Sequence, residues 1–291
     1  MAVGLIPNLQ KPLALAACRE LLSWLELKGV RVCLNTEVAA HLQHTELAAD
    51  DATMAEICKL IVVLGGDGTL LSVVRRQPLR GLPILGINLG KLGFLTEIEL
   101  KNMYVGMERV LGGDYSVQER MMLQVRVLRK GQVVNNLLAL NEVVVSKGAF
   151  SRMLELNIAI DGQYIDPLPA DGCIVATPTG STAYSLSAGG PIVDPDISVL
   201  LLTPICPHSL HSRPMVVSPD SELNITVHAQ HDDILLTMDG QESVPLQLED
   251  QVIVSRADAV ARLVKVSKHG FYDVLRQKLG GTPSRYREEG S

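Results

Sequence analysis

The stretch Leu60-Ile61-Val62-Val63-Leu64-Gly65-Gly66-Asp67-Gly68-Thr69-Leu70-Leu71 decides how the chain is read. Five aliphatic residues run without alternation into two glycines, an acid, a third glycine and a threonine, the pattern of a strand buried on both faces that turns tightly into a helix. At such a junction backbone N–H groups point outward, glycine lets a ligand approach the main chain, and the helix N-terminus favours negative charge. Gly65, Gly66, Gly68 and Thr69 are therefore candidates to cradle phosphate. A carboxylate beside phosphate is repulsive unless it holds a metal or does chemistry. Asp67 has two readings: a base that takes a proton from an attacking hydroxyl, or one half of an Asp-Gly turn like Asp161-Gly162.

Working outward, strand and helix signals alternate over the first ninety residues. Val3–Ile6 and Val30–Leu34 read as strands and Lys11–Leu27 as a helix, with Pro12 acceptable in its first turn. A helix from about Thr69 to Arg76 and a strand at Ile84–Ile87 follow the opening stretch, while His41–Ala49 has no clear period. Alternation of this kind predicts a parallel sheet with right-handed crossovers and a ligand beyond the carboxyl ends of its strands. Asn88-Leu-Gly-Lys-Leu-Gly-Phe94-Leu-Thr96 is a second glycine-rich passage after a strand, and it would line the same crevice.

A helix is expected over Asn102–Leu111, and from Tyr115 to Val266 the period changes to two. Leu123, Val125 and Val127 face one way; Leu154, Leu156, Ile158 and Ile160 do so before Asp161-Gly162, and Leu223, Ile225 and Val227 later. Ile234–Met238, Gln251–Val254 and Leu263–Val266 add strands, which predicts an antiparallel β domain. Phe271–Leu279 returns to helical spacing. The expected division is an α/β domain over 1–98, joined by the helix at about 270–279, a β-rich domain over 99–269, and a mobile tail at 280–291.

The chain has 291 residues, 47% hydrophobic and 20% charged, enough for two folded domains. A net charge of −6 and 3% aromatic residues argue against a nucleic-acid surface. The longest apolar runs fall short of a membrane span, and the first residues lack the pattern of a signal peptide, so a cytoplasmic protein is expected. Cys18, Cys33, Cys58, Cys173 and Cys206 have no close spacing and read as reduced thiols. The His41/His44, His208/His211 and His228/His231 pairs share a spacing of three, but the last two lie among prolines or between strands, so metal binding is not expected.

Two further stretches carry candidate chemistry. From Asp171 to Pro191 a short strand, Cys173–Ala176, leads into Thr177, Thr179, Ser181, Thr182, Tyr184, Ser185 and Ser187. Hydroxyl groups in this density suit ribose or an adenine edge, or else make a polar surface loop. Asn141-Glu142 interrupts an apolar passage; an amide beside a carboxylate can hold paired hydroxyls, or can form a solvated turn.

Taken with these residues, the sequence resembles the NAD kinase family. The resemblance is carried by Gly-Gly-Asp-Gly-Thr at 65–69, the passage at 86–96, Asn-Glu at 141–142, the Thr-Pro-Thr-Gly-Ser-Thr-Ala-Tyr-Ser-Leu-Ser-Ala-Gly-Gly-Pro run at 177–191, and Pro207-His208 to Arg213-Pro214. It implies a Rossmann-like α/β domain, an all-β domain and a C-terminal helix returning to the first. It also implies phosphorylation of the adenosine 2′-hydroxyl of NAD by ATP or polyphosphate, a divalent ion such as Mg2+, and a homo-oligomer. Asp67 corresponds to the general base. Gly68, Asn141, Glu142, Arg152, Asp171, Thr182, Ala183, Tyr184, Ser185, Leu186, Ser187 and Gln241 fall at dinucleotide-binding positions. Leu168-Pro169-Ala170 and His211 depart from the family pattern. Two rivals share features: a diacylglycerol-type lipid kinase, through the Gly-Gly-Asp-Gly-Thr signature, and a dinucleotide-binding protein without turnover.

Overall fold

The structure is a computed structural model describing residues 2–90, 92–148, 151–165, 167–209, 211–229, 231–267 and 270–280. It divides into two compact units. The first comprises the chain up to Leu70, Pro83–Gln118 and Leu263 onward; the second comprises Leu71–Leu82 and Glu119–Arg262. The Met103–Leu111 helix, which the expected division placed after Ile98, is therefore in the first unit.

In the first unit five parallel strands stand in the order Ala48–Ala49, Arg31–Asn35, Ala2–Pro7, Leu60–Gly65, Ile84–Asn88. Leu263 pairs in parallel with Ile84 on the far side. All six residues of Leu60–Gly65 are buried, as an unalternated aliphatic run requires. The Pro12–Leu27 helix lays Leu21, Leu22 and Leu25 on this sheet at 1% exposure or less, each worth about 2 kcal/mol on burial. The strand order reverses at Ala2–Pro7, whose neighbours are Arg31–Asn35 on one side and Leu60–Gly65 on the other. A crevice opens beyond the carboxyl ends at such a reversal.

Some local expectations need correction. Two short helices, Thr36–Leu42 and Asp51–Ile57, were not read from the sequence; each is fixed by a side-chain cap, Asn35 accepting from the Val38 N–H and Asp50 from the Thr53 N–H, both at 2.8 Å. The helix after the glycine turn runs Asp67–Val74, two residues earlier than expected, because the Thr69 and Leu70 N–H groups already bond the Gly66 carbonyl. Asp67 is thus in the first helical turn. The Phe271–Leu279 helix belongs to the first unit, with the Phe271 ring 6.3 Å from that of Phe94. The tail residues 281–291 lie outside the described residues.

The second unit packs two antiparallel layers. One has the order Met215–Val217, Leu200–Ile205, Gly172–Ala176, Glu142–Lys147, Ile234–Met238, Glu242–Pro245. The other contains Leu154–Ile160 paired with Leu223–His228, which in turn pairs with the long Gln251–Lys265 strand, Leu223 opposite Val254 and Thr226 opposite Gln251. Between the layers Leu123, Val125, Val127, Leu156, Ile225, Val145, Val175 and Leu236 form one core, each at 1% exposure or less. Period-two alternation delivered these residues to one face. The run at 251–254 and the run from 263 to 265 belong to one fifteen-residue strand, Gln251–Lys265, joined through small alternating residues around Ala257 and Ala261, and Val266 follows its end.

Candidate functional site

In the first unit the glycine turn and the second glycine-rich passage meet, as expected. The Asp67 carboxylate draws them together: Oδ2 accepts the Phe94 N–H at 2.8 Å, and Oδ1 accepts the Leu95 and Thr96 N–H groups at 3.2 and 3.1 Å and the Thr96 hydroxyl at 3.2 Å. A Cβ at Gly93 would overlap this carboxylate, so glycine is required there. Three of the four donors fall on Oδ1. Oδ2 accepts one, which leaves it lone-pair capacity for a further donor such as a substrate hydroxyl.

Beside it, at the strand-order reversal, Asn8 follows the Ala2–Pro7 strand. Its N–H bonds the Leu64 carbonyl at 2.9 Å and its side-chain amide donates to the Thr69 hydroxyl at 3.0 Å. A Cβ at Gly65 would strike that same threonine, whereas Gly66 opens on free space. Of the proposed phosphate cradle, Gly66 offers the close backbone approach, and Thr69 is held by Asn8. Asn8 was not singled out from the sequence, because an asparagine after a short strand reads as loop punctuation.

In the second unit one end of the six-stranded layer gathers most of the expected dinucleotide residues. Ala176 pairs with Glu142, and Val143 with Met238, so Thr177, Glu142 and Asp239 stand at the ends of three adjacent strands. The Asn141-Glu142 pair is not a solvated turn. Glu142 is 5% exposed, and its Oε2 is buried without a hydrogen-bond partner among the described residues. Burial first, and the neighbouring Asp239 charge second, push the Glu142 carboxyl up to about 8, against a hydrogen bond from the Tyr184 backbone N–H. A buried acceptor of this kind is costly unless hydroxyl donors reach it.

The hydroxyl-rich run divides its labour. Thr177 donates to the Leu140 carbonyl at 2.6 Å and accepts from the Gly180 N–H at 3.1 Å; Ser181 accepts from the Val193 N–H at 3.0 Å; Ser185 bonds Thr203 at 3.0 Å. These groups build the turn. A Cβ at Gly180 would overlap the Asn141 carbonyl, so the run packs directly on the Asn-Glu pair. Thr182 donates to the Thr179 carbonyl at 3.3 Å, while Tyr184 and Ser187 are exposed on the four-residue helix Tyr184–Ser187, with Ala183 and Leu186 partly so.

Arg152 and Asp171 do not join this cluster. Asp171 precedes the Gly172–Ala176 strand, five residues or about 16 Å from its other end, and pairs with Lys147 at 3.7 Å. Arg152 lines a separate cleft of about 530 Å³ with Leu154, Pro169 and His228, which places the departing Pro169 on that cleft wall. Gln241 follows the Asp239-Gly240 turn, and its side-chain carbonyl accepts from Arg75 at 3.1 Å. Asp239 and Arg75 were missed, since an Asp-Gly pair reads as a hairpin turn and an arginine in the last turn of an expected helix as solvated charge.

Comparisons with known proteins show which family the chain belongs to. The family model described as ATP-NAD kinase N-terminal domain matches residues 3–115, and the ATP-NAD kinase C-terminal domain matches residues 140–266. The chain is 46% identical to an NAD kinase of Moorella thermoacetica over 99% of its own length and 92% of that protein. It is 45% identical to an NAD kinase of Desulforamulus reducens, over 95% and 96%. The crystal structure of a yeast NADH kinase complexed with NADH superposes at a TM-score of 0.86 with 28% identity, covering 100% of this chain and 90% of that one. An NAD kinase from Archaeoglobus fulgidus in complex with ATP gives 0.75 with 26% identity, covering 96% and 98%. With both domains matched in order and curated relatives of this identity along nearly its full length, the chain belongs to the NAD kinase family.

Proposed function

We propose that this enzyme phosphorylates NAD, transferring the terminal phosphoryl group of ATP to the 2′-hydroxyl of the adenosine ribose to give NADP. The observation that carries the reading is the anchored Asp67 carboxylate at the glycine turn, with a buried, unpartnered Glu142 oxygen in the other unit as support. Asp67 is fixed by four donors with acceptor capacity left on Oδ2, and Glu142 is buried with Oε2 unpartnered. Asn141 and Glu142 grip ribose hydroxyls, Asn141 as donor and Glu142 as acceptor, and the exposed face of Thr182–Ser187 together with Gln241 lies against the dinucleotide. The curated relatives' names support the acceptor, and the ATP complex of the Archaeoglobus fulgidus neighbour supports the donor.

Phosphoryl transfer needs little covalent help, so catalysis here is positioning and charge stabilisation. Asp67 Oδ2 accepts the 2′-hydroxyl, orients its oxygen for in-line attack and takes its proton as the bond from that oxygen to the γ-phosphorus forms and the bond from the γ-phosphorus to the β-phosphate bridging oxygen breaks, releasing ADP. The Gly66 turn and the start of the Asp67–Val74 helix hold the donor's phosphates. Among the described residues no group of three or more His, Cys, Asp or Glu side chains could cage a metal. Magnesium fits as part of the donor, carried on its phosphates with few protein ligands.

One observation favours a second reading. Four hydrogen bonds to Asp67 also suit a purely structural anchor, as in a dinucleotide sensor without turnover. Incubation with NAD, ATP and magnesium separates the two. The proposal expects NADP with its phosphorus resonance coupled to the ribose 2′ position. NAD binding by calorimetry with no product, or a 3′-phosphate, contradicts it.

A further inference from the structure

The chain contains its own comparison for the Asp239-Gly240 turn. At Asp161-Gly162 the same dipeptide closes a hairpin with φ of 51° and 78°, and Asp161 remains exposed. At Asp239-Gly240 the angles are 50° and 63°, yet the Asp239 side chain is 0% exposed. The turn itself does not require that burial, which raises the carboxyl's energy. The buried charge is directed instead at one short segment. Asp239 Oδ1 accepts the Asn141 and Glu142 N–H groups at 2.7 and 3.2 Å, and Oδ2 accepts the Leu140 N–H at 3.0 Å. Its own N–H returns to the Glu142 carbonyl at 2.9 Å.

Arg75 supplies the countercharge. Its Nε lies 3.5 Å from Asp239 Oδ2, and its two terminal nitrogens donate to Gln241 and Glu242 at 3.1 and 3.2 Å. One guanidinium therefore spans three residues of the hairpin, a use for which its planar fork is suited and a lysine is not. Arg75 directly follows the Asp67–Val74 helix.

We propose that Asp239, clamped by Arg75, is a positioning residue for the acceptor: it fixes the Leu140–Glu142 backbone so that Asn141 and Glu142 present their polar groups to the ribose. The inference rests on the reading that this pair grips the dinucleotide. Both residues act through Asn141 and Glu142 and touch no substrate themselves.

Steady-state kinetics on the full-length enzyme, varying NAD and ATP separately, test it with Asp239→Asn, Arg75→Met, Arg75→Lys and Glu142→Gln. Asp239→Asn and Arg75→Met should raise the KM for NAD by roughly tenfold, equivalent to about 1.4 kcal/mol, and leave the KM for ATP within about twofold. Arg75→Lys should recover part of that loss. A merely structural defect reduces the fraction of active enzyme and lowers kcat without moving either KM. An unchanged KM for NAD in Arg75→Met, or an equal rise in both KM values, overturns the inference. Should Asp239→Asn fail to fold, Arg75→Met decides by the same criteria. If Glu142→Gln leaves the KM for NAD unmoved, the ribose-grip reading fails, and that failure is distinct from one confined to the Asp239 and Arg75 variants.

Discussion

At the scale of the residue, the account turns on how two carboxyl groups are held. Gly93 has no room for a side chain beside Asp67. Gly93→Ala therefore displaces the Asp67 carboxylate without removing it, and should lower NADP formation by roughly 10²-fold, the loss expected for about 1 Å of misplacement. NAD affinity by calorimetry should change little. A parallel loss of affinity would mean that the Gly93 loop supports binding rather than the chemistry.

Glu142 gives a prediction with a definite sign. Its carboxyl titrates at about 8 in the folded protein, above its ordinary value of 4.5. Between those values the native state keeps a proton that the unfolded chain has released, so the stability contributed by this group is full below pH 4.5 and falls as pH rises to 8. Thermal unfolding of wild type and Glu142→Gln, measured across that range, should show the wild type losing stability relative to the variant as pH rises. Parallel curves would contradict the buried assignment.

At the scale of the element, one acid fastens the end of the longest strand. Glu97 is 5% exposed; it accepts the Val266 and Ser267 N–H groups at 2.9 and 2.5 Å and pairs with Lys265. Glu97→Ala strips a buried partner from Lys265 and two amides, and should cost about 3 kcal/mol in denaturant unfolding. A cost below about 1 kcal/mol would mean that water replaces the carboxylate fully.

The elements legible in the sequence were those whose burial follows one period. Leu60–Gly65 is buried on both faces and reads as an unbroken run; Leu123, Val125 and Val127 share one face and read by alternation. The Thr36–Leu42 and Asp51–Ile57 helices each have seven residues, too short for a helical period to emerge, and their starts are set by the Asn35 and Asp50 caps. In the site, Asp67 and Asn141-Glu142 stood out because polar residues interrupt apolar runs. Asp239 and Arg75 did not: their partnership joins positions far apart in sequence, and no local pattern marks a carboxylate that serves three distant amides. The hydroxyl-rich run was recognisable as special, but which hydroxyls face inward depends on the packing of Ser181 on Val193 and Ser185 on Thr203.

At the scale of the whole molecule, neither unit is one continuous stretch of chain. Val264 and Val266 belong to the first unit's core although they follow the second unit in sequence. A chain ending at Arg262 should therefore lose cooperative unfolding of the first unit, read by hydrogen exchange of the Leu60–Gly65 amides. Native-like protection there would show that the parallel sheet closes without its last strand. The first unit holds an anchored acid beside a glycine turn, and the second a buried Asn141-Glu142 pair.

The claim that joins them is that Asp67 acts on the acceptor hydroxyl, and it is tested most directly by NADP formation in Asp67→Asn. The account predicts that Asp67→Asn, folded and binding NAD with near wild-type affinity, makes NADP some 10²- to 10⁴-fold more slowly than wild type. NADP formation at the wild-type rate would show that Asp67 is an anchor and that another group takes the proton.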